Sequence, residues 1–393
     1  MNLFKTAKIW LLLLALALPA CGDRLSQPEL NRVLSASWQS YRRQFISPEG
    51  RVLPPEQAGG AISEAQAYAL LRAGWAGDEA TFGMVYAWTK KNLARPDHLL
   101  SWRWGRRDDG SWGVADAHTA SDGDLDYALA LVLAGRRGWK PPSGLSDYLT
   151  EAREVLATIF EKEVVALPGG TLVLTPGDWH EASPPYLLNP SYFSPAAYQL
   201  FRQIGTGPGG AILEPPAWRR LHQDTYQLLS QFNQGLGETP GAGLFPDWCR
   251  VDAAGHLTPA PGRETHFGWE AVRLPWRLAL DHLWFGEPRA AKLLGQRFLP
   301  FFKQEWQAHG RLAAVYNLNG APAADFESPV LYAGVLAAAL TVGDRDFARL
   351  LAEKILDFYH EKDRQAYFVA PDNYYANNWA WLGLALYAGW VKP

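Results

Sequence analysis

The chain has 393 residues, with 37 Lys and Arg against 40 Asp and Glu and a formal net charge of −3. No basic surplus is available to neutralise a phosphate backbone, which excludes nucleic acid as a partner recognised by charge. The length is ample for one large apolar core or two smaller ones.

The first element is an export signal. Lys5 and Lys8 precede an unbroken apolar run from Ile9 to Leu18, too short to span a bilayer as a mature helix. Leu18-Pro19-Ala20-Cys21 resembles a bacterial lipobox, so residues 1–20 are expected to be a lipoprotein signal peptide. Cys21 is then the acylated first residue of the mature protein, and 21–393 form a single domain. The expected location is the cell envelope, with a membrane as partner through the anchor. Gly22 rather than Asp after the cysteine favours the outer membrane of a Gram-negative cell, with the periplasmic face as the other setting. Cys249 is then the remaining thiol, and no internal disulfide is available.

Beyond the leader, apolar spacing predicts helices near 28–46, 63–75, 77–95, 122–137, 143–164 and 194–205. Six more are predicted near 215–235, 268–286, 287–308, 327–342, 344–360 and 374–390. Pro and Gly clusters punctuate them at Pro54-Pro55, Pro141-Pro142, Gly207-Pro208-Gly209-Gly210, Pro215-Pro216 and Pro259-Ala260-Pro261-Gly262. Gly169-Gly170-Thr171-Leu172-Val173-Leu174 predicts a short strand or hairpin edge. No linker divides the chain. About twelve amphipathic helices in one domain can form six hairpins in a double ring, each burying its apolar stripe, with the long loops gathered into a cleft at one end. A stacked solenoid is the other all-α arrangement, but no repeat of fixed period supports it.

Eighteen Trp is far above ordinary usage. Most belong in a core, but an excess of flat apolar faces with polar edges suits the C–H faces of sugar rings. Chemistry concentrates in Ala120-Ser121-Asp122-Gly123-Asp124-Leu125-Asp126, where three carboxylates open a helix. They could cap it and favour its dipole. An EF-hand loop fails, because Tyr127 and Leu133 stand where Gly and Glu are required. His180 has no second His or Cys at a ligand spacing nearby, so no metal and no cofactor is expected.

The Asp122 segment resembles the signature of family-8 glycoside hydrolases, and further stretches similar to that family follow in its order. They are Ser63-Glu64-Ala65-Gln66-Ala67-Tyr68, Trp102-Arg103-Trp104-Gly105, Asp109-Gly110-Ser111-Trp112, Asn189-Pro190-Ser191-Tyr192-Phe193, Phe245-Pro246-Asp247-Trp248, Trp269-Glu270-Ala271-Val272-Arg273-Leu274-Pro275-Trp276-Arg277 and Tyr374-Tyr375. In character the chain is nearest the endoglucanases that accompany bacterial cellulose synthesis. The resemblance implies an (α/α)6 barrel and inverting, endo-acting hydrolysis of a β-1,4-linked polysaccharide, with cellulose or another β-glucan first and xylan and chitosan also open.

The same resemblance implies the site residues. Glu64 matches the general acid, and Asp122 the aspartate that holds the distorted sugar ring. Glu270 stands at the base position, where the family usually carries Asp, one methylene shorter. Asp178 and Glu181, in Gly177-Asp178-Trp179-His180-Glu181, are the alternative bases. Arg273, one turn from Glu270, could orient it or bind a sugar hydroxyl, and Tyr192 could bond the attacking water. Trp102, Trp112, Trp179 and Tyr375 are candidate stacking residues. Inversion needs two carboxyl groups roughly 6.5–9.5 Å apart, one protonated and one ionised. Two other classes compete. A catalytically silent glycan-binding lipoprotein of an exopolysaccharide export system would tolerate Glu at position 270, but the acid at position 64 argues against it. A polysaccharide lyase fits the paired carboxylates poorly. An exopolysaccharide synthase or export complex is the expected protein partner.

Overall fold

The computed structural model describes residues 24–204, 215–237 and 239–393. The expected signal peptide with Cys21 and the Gly-Pro cluster at 206–210 lie outside these residues. Among them are the helices α1 (Gln27–Phe45), α2 (Ser63–Ala76), α3 (Glu79–Asn92), α4 (Ser121–Arg136), α5 (Tyr148–Lys162), α6 (Pro195–Phe201) and α7 (Pro215–Leu229). They continue with α8 (Leu274–Phe285), α9 (Pro288–Leu293), α10 (Leu299–His309), α11 (Pro329–Val342), α12 (Arg345–Asp357) and α13 (Tyr374–Tyr387). A π-helical turn over Leu294–Phe298 joins α9 to α10, so the two form the single helical run that the sequence predicts near 287–308.

The helices form two concentric rings. The inner ring runs α2, α4, α6, α8, α11, α13, each packed on the next. It closes where Trp379 of α13 meets Tyr68 of α2 edge-on at 5.8 Å and Arg72 donates to Asn378 Oδ1 at 3.2 Å. The outer ring is α1, α3, α5, α7, the α9–α10 run and α12, each backing its inner neighbour. This is the (α/α)6 barrel. Sequence character separates the rings. In α11 only Leu340 and Val342 escape burial, as expected of a helix enclosed on all sides. In α12 burial is confined to Phe347, Ala348, Leu351, Ala352, Ile355 and Leu356, a single stripe at i, i+4 spacing against the core.

The two ends of the barrel differ because their connections differ. At one end, α2–α3, α8–α9 and α11–α12 turn through two residues each. Gly77, Gly286 and Gly343 end the first helix of each pair with φ of 72°, 70° and 75°, where a Cβ would be strained. Asp78, Glu287 and Asp344 follow and cap the next helix by accepting from the amides of Thr81, Arg289 and Phe347. At the other end every inner helix begins after a long segment, such as 93–120, 163–194 and 230–273, and the short strands are built there. Ala61–Ile62, Arg103–Arg106 and Trp112–Asp116 make one antiparallel sheet, and Tyr186–Leu188, Cys249–Val251 and Leu257–Pro259 another. The expected edge at 169–174 is the second strand of a hairpin, Val164–Ala166 with Leu172–Leu174. No described helix is long and apolar enough to cross a membrane.

Candidate active site

Six inner helices begin at the same end, so six sets of unpaired amides and six positive dipole ends point at one place. A cleft of about 800 Å³ opens there. Its floor is built by close contact between helix starts. A Cβ on Gly123 would lie 2.4 Å from Ser63 Oγ and 3.1 Å from the Glu64 amide. Glycine between Asp122 and Asp124 is therefore what lets α4 come against α2 and brings Asp122 beside Glu64.

The three carboxylates of α4 part ways. Asp124 accepts from the Leu100 amide at 2.8 Å beside buried Glu163, and burial pushes it up to about 8. Asp126 takes both terminal nitrogens of Arg277, at 2.6 and 2.8 Å. Asp122 alone lines the cleft. Its Oδ1 accepts from the Gly123 amide at 2.8 Å, and its Oδ2 from Arg273 at 3.0 Å. None of the three caps α4 in the usual way, since Ala120 occupies the N-cap.

Arg273 organises the floor. Its Nη1 donates to Glu64 Oε2 at 2.6 Å and to Asp122 Oδ2 at 3.0 Å, its Nη2 donates to Glu270 Oε2, and its Nε donates to Ser191 Oγ at 3.2 Å. The guanidinium lies 5.2 Å from the Tyr192 ring centroid. Of the two roles expected for Arg273, these bonds fit the orienting of Glu270, and the guanidinium also lines the cleft. Every nitrogen already serves the protein, and the side chain is only 2% exposed. It bonds three carboxylates at once.

Access to solvent differs among those three: 3% for Asp122, 20% for Glu64 and 35% for Glu270. Burial pushes Glu64 up to about 8; Arg273 opposes this, while Asp122 and Glu270 add to it. The helix dipole alone would act the other way, so desolvation and like charge win. Burial also raises Asp122, against Arg273. Glu270 is held differently. Asn189 Nδ2 donates to its Oε2 at 2.9 Å, and its backbone sits in a turn pinned by Asp247, whose Oδ1 accepts from the amides of Gly268, Glu270 and Ala271 at 3.1, 3.1 and 2.7 Å. Pro275 then starts α8 immediately below.

The alternative bases lie elsewhere. Asp178 is bound by Arg95 at 2.6 Å and by the Thr119 amide at 3.1 Å. Burial raises it, but these partners outweigh burial and hold it below the usual carboxylate range. Glu181 accepts from the Leu187 amide at 3.1 Å. Neither lines the cleft, whereas Glu270 does.

Of the aromatic candidates, Trp102, Tyr192 and Tyr375 line the cleft. Trp112 and Trp179 do not. Trp112 stacks on Trp104 at 5.2 Å, and Trp179 donates its Nε1 to the Thr119 carbonyl at 3.1 Å; both face solvent. Trp269 and Phe326, which sequence reasoning missed, line the cleft and stack on each other at 6.4 Å. Tyr375 OH holds the Trp269 carbonyl. The signal for Trp269 was its place beside Glu270; nothing local marks Phe326. A buried cluster of His222, Asp281 and Glu287 has metal-like donors. However, Arg289 donates to His222 Nδ1 at 3.2 Å, which leaves the proton on Nε2 for Asp281 at 2.8 Å: a hydrogen-bond network, not a ligand set.

Comparison with known proteins agrees with this architecture. The sequence model described as glycosyl hydrolases family 8 matches residues 7–383. An endoglucanase of Salmonella typhi is 32% identical over 270 residues, which cover 67% of this chain and 66% of that protein. The chain thus spans about two thirds of the length of curated relatives such as this one. The structure of an endo-β-1,4-glucanase from Acetobacter xylinum superposes with a TM-score of 0.66 at 25% identity, covering 92% of this chain and 100% of that one. A β-1,3-1,4-glucanase from Paenibacillus sp. X4 shares the fold with a TM-score of 0.75 at 20% identity, covering 93% of each chain. With its barrel, its cleft at the inner-helix starts and a family match over nearly its whole length, the chain belongs to the glycoside hydrolases of family 8.

Proposed function

We propose that the chain is an inverting, endo-acting hydrolase of a β-1,4-linked glucan. The observation that carries this is the gathering of Glu64, Asp122 and Glu270 on one guanidinium in an open cleft, with Glu64 kept protonated by its surroundings. In this reading Glu64 gives its proton to the glycosidic oxygen as the C–O bond breaks. Glu270, the most solvent-accessible of the three, takes a proton from the water that attacks the anomeric carbon from the opposite face. Asp122 faces the developing oxocarbenium charge between them. Trp102, Trp269 and Tyr375 offer ring faces to the sugars on either side. The extra methylene of Glu270 is accommodated by its bonds to Asn189 and Arg273, which hold the carboxylate in place.

Incubation with a panel of β-1,4 glycans, followed by NMR of the first anomer released, tests this. The α-anomer from a β-linked glucan is expected. Release of the β-anomer would overturn inversion. Absence of product from every glycan would favour a glycan-binding role in polymer export. We also propose the lipid anchor at Cys21, from the Leu-Pro-Ala-Cys sequence, and an envelope setting beside an exopolysaccharide synthase. Cys21→Ser is expected to leave the membrane fraction with activity on soluble substrate intact. A variant that still pellets with membranes would refute the anchor.

A further inference from the structure

One wall of the cleft is unlike its floor. Trp269, Phe326 and Val369 line it and are 41%, 52% and 40% exposed, with Phe358 beside them. Exposed apolar groups lining one cleft mark a contact surface. Ring faces such as Trp269 and Phe326 suit the flat side of a sugar, but Val369 has no flat face.

Val369 is also held there against its preference. Its φ is 67°, a genuine outlier for a β-branched residue. The Ala370 amide donates to the Phe368 carbonyl across it at 2.8 Å, which closes the rarer, more strained form of γ-turn. Its own amide donates to the Phe358 carbonyl at 2.9 Å. Strain of this kind concentrates at ligand contacts. The polar groups nearby are largely committed. Glu327 holds Tyr332 and Lys354, Ser328 Oγ accepts from the Val330 amide at 3.2 Å, and Asn373 Oδ1 caps α13 through the Ala376 amide at 3.0 Å. These bonds engage Glu327 Oε1, Ser328 Oγ and Asn373 Oδ1 as acceptors, and the Asn373 amide group remains a donor.

A group that fits presents methyl or methylene carbon to Val369 and Phe358 and a carbonyl oxygen to Asn373. We propose that this alcove receives an O-acyl substituent, an acetyl ester in the simplest case, on the β-1,4 chain lying in the cleft. The alcove is continuous with the cleft floor, so its occupant is carried in by the substrate itself. This inference rests on the hydrolase reading above.

Partially O-acetylated cello-oligosaccharides, and the same preparation after saponification, are matched probes. The wild type is expected to cleave both, and mass spectrometry should place an acetyl group on a fixed unit counted from the new end. Val369→Asn keeps a residue that tolerates positive φ while replacing the methyls by an amide. It should lower the ratio of kcat/KM on acetylated over saponified substrate by about tenfold, the scale of losing a small apolar contact. Val369→Gly removes strain and methyls together. It should lower the same ratio while unfolding at no lower temperature than the wild type, which separates selectivity from stability. An unchanged ratio in both variants, acetyl groups scattered at random around the cut, or cleavage of the saponified probe alone would each overturn the acyl alcove and leave the hydrolase reading standing. Cleavage of neither probe would overturn both.

Discussion

Two arginine–aspartate layers lie one helical turn apart in the barrel. Asp122 and Asp126 are four residues apart on α4, and Arg273 and Arg277 are four apart where α8 begins, so the same two elements meet twice. In the deeper layer Arg277 grips Asp126 with two bonds, one charge against one, and both side chains are buried. In the upper layer a single guanidinium serves Asp122, Glu64 and Glu270. Three carboxylates share that one cation, and burial, with Asp122 and Glu270 adding to it, pushes Glu64 up to about 8 against Arg273. The same residue pair is balanced and closed in one layer, and oversubscribed and open to solvent in the other, where the proposed chemistry lies.

Breaking the upper layer should show first in rate. Glu64→Gln keeps shape and the contact to Arg273 but cannot act as an acid, and kcat should fall by about 10²–10⁴-fold with little change in glycan affinity. Turnover near wild type would remove Glu64 from the reaction. Breaking the lower layer should show in stability. Arg277→Leu leaves Asp126 buried and unpaired, at a cost of about 3–5 kcal/mol in denaturant unfolding, and the double change Arg277→Leu with Asp126→Leu should recover most of it. A single variant as stable as the wild type would mean that the two layers do not differ as argued.

Glu270→Asp sharpens the upper layer. The turn around Asp247 and the bond from Asn189 hold a glutamate, so the shorter side chain should miss the water and lower kcat roughly ten- to a hundredfold. A gain in rate would mean that the backbone keeps a geometry suited to Asp. pH gives a gentler test. Glu64 must be protonated to act, so kcat/KM should decline as pH rises through about 8. The same raised value means that the folded state holds this proton more tightly than the unfolded one. Its contribution to stability is full below the ordinary value of 4.5 and is lost as pH rises through about 8. Glu64→Gln should remove that slope, and an unchanged slope in thermal unfolding against pH would assign it to another group. The smallest effect is expected at Asp178. Asp178→Asn should leave the rate unchanged, because the residue is tied to Arg95 outside the cleft; a collapse in rate would return the base to that loop.

Much was already written in the linear chain. Amphipathic helices need a partner to cover the apolar stripe, so about twelve of them without a linker can form two rings, and the family resemblance implied that they do. Glu64, Asp122 and Glu270 could be named because the stretches around them resemble those of family-8 glycoside hydrolases, and the structure brings all three to one cleft. The resemblance singled out Asp122, but where Asp124 and Asp126 would turn was not legible, since position along a helix does not say what packs against each side. Arg273 meets Glu64 across 209 residues of sequence and Asp122 across 151. No local pattern can announce that one guanidinium will be divided among three acids, or that burial will raise one of them against it. Phe326, Val369 and Asn189 become cleft lining or Glu270 partners only through the long segments that gather at one end. Periodicity and motif reflect short-range physics and survive in sequence; charge balance, burial and the shape of the cleft are sums over distant segments, and only the closed barrel decides them.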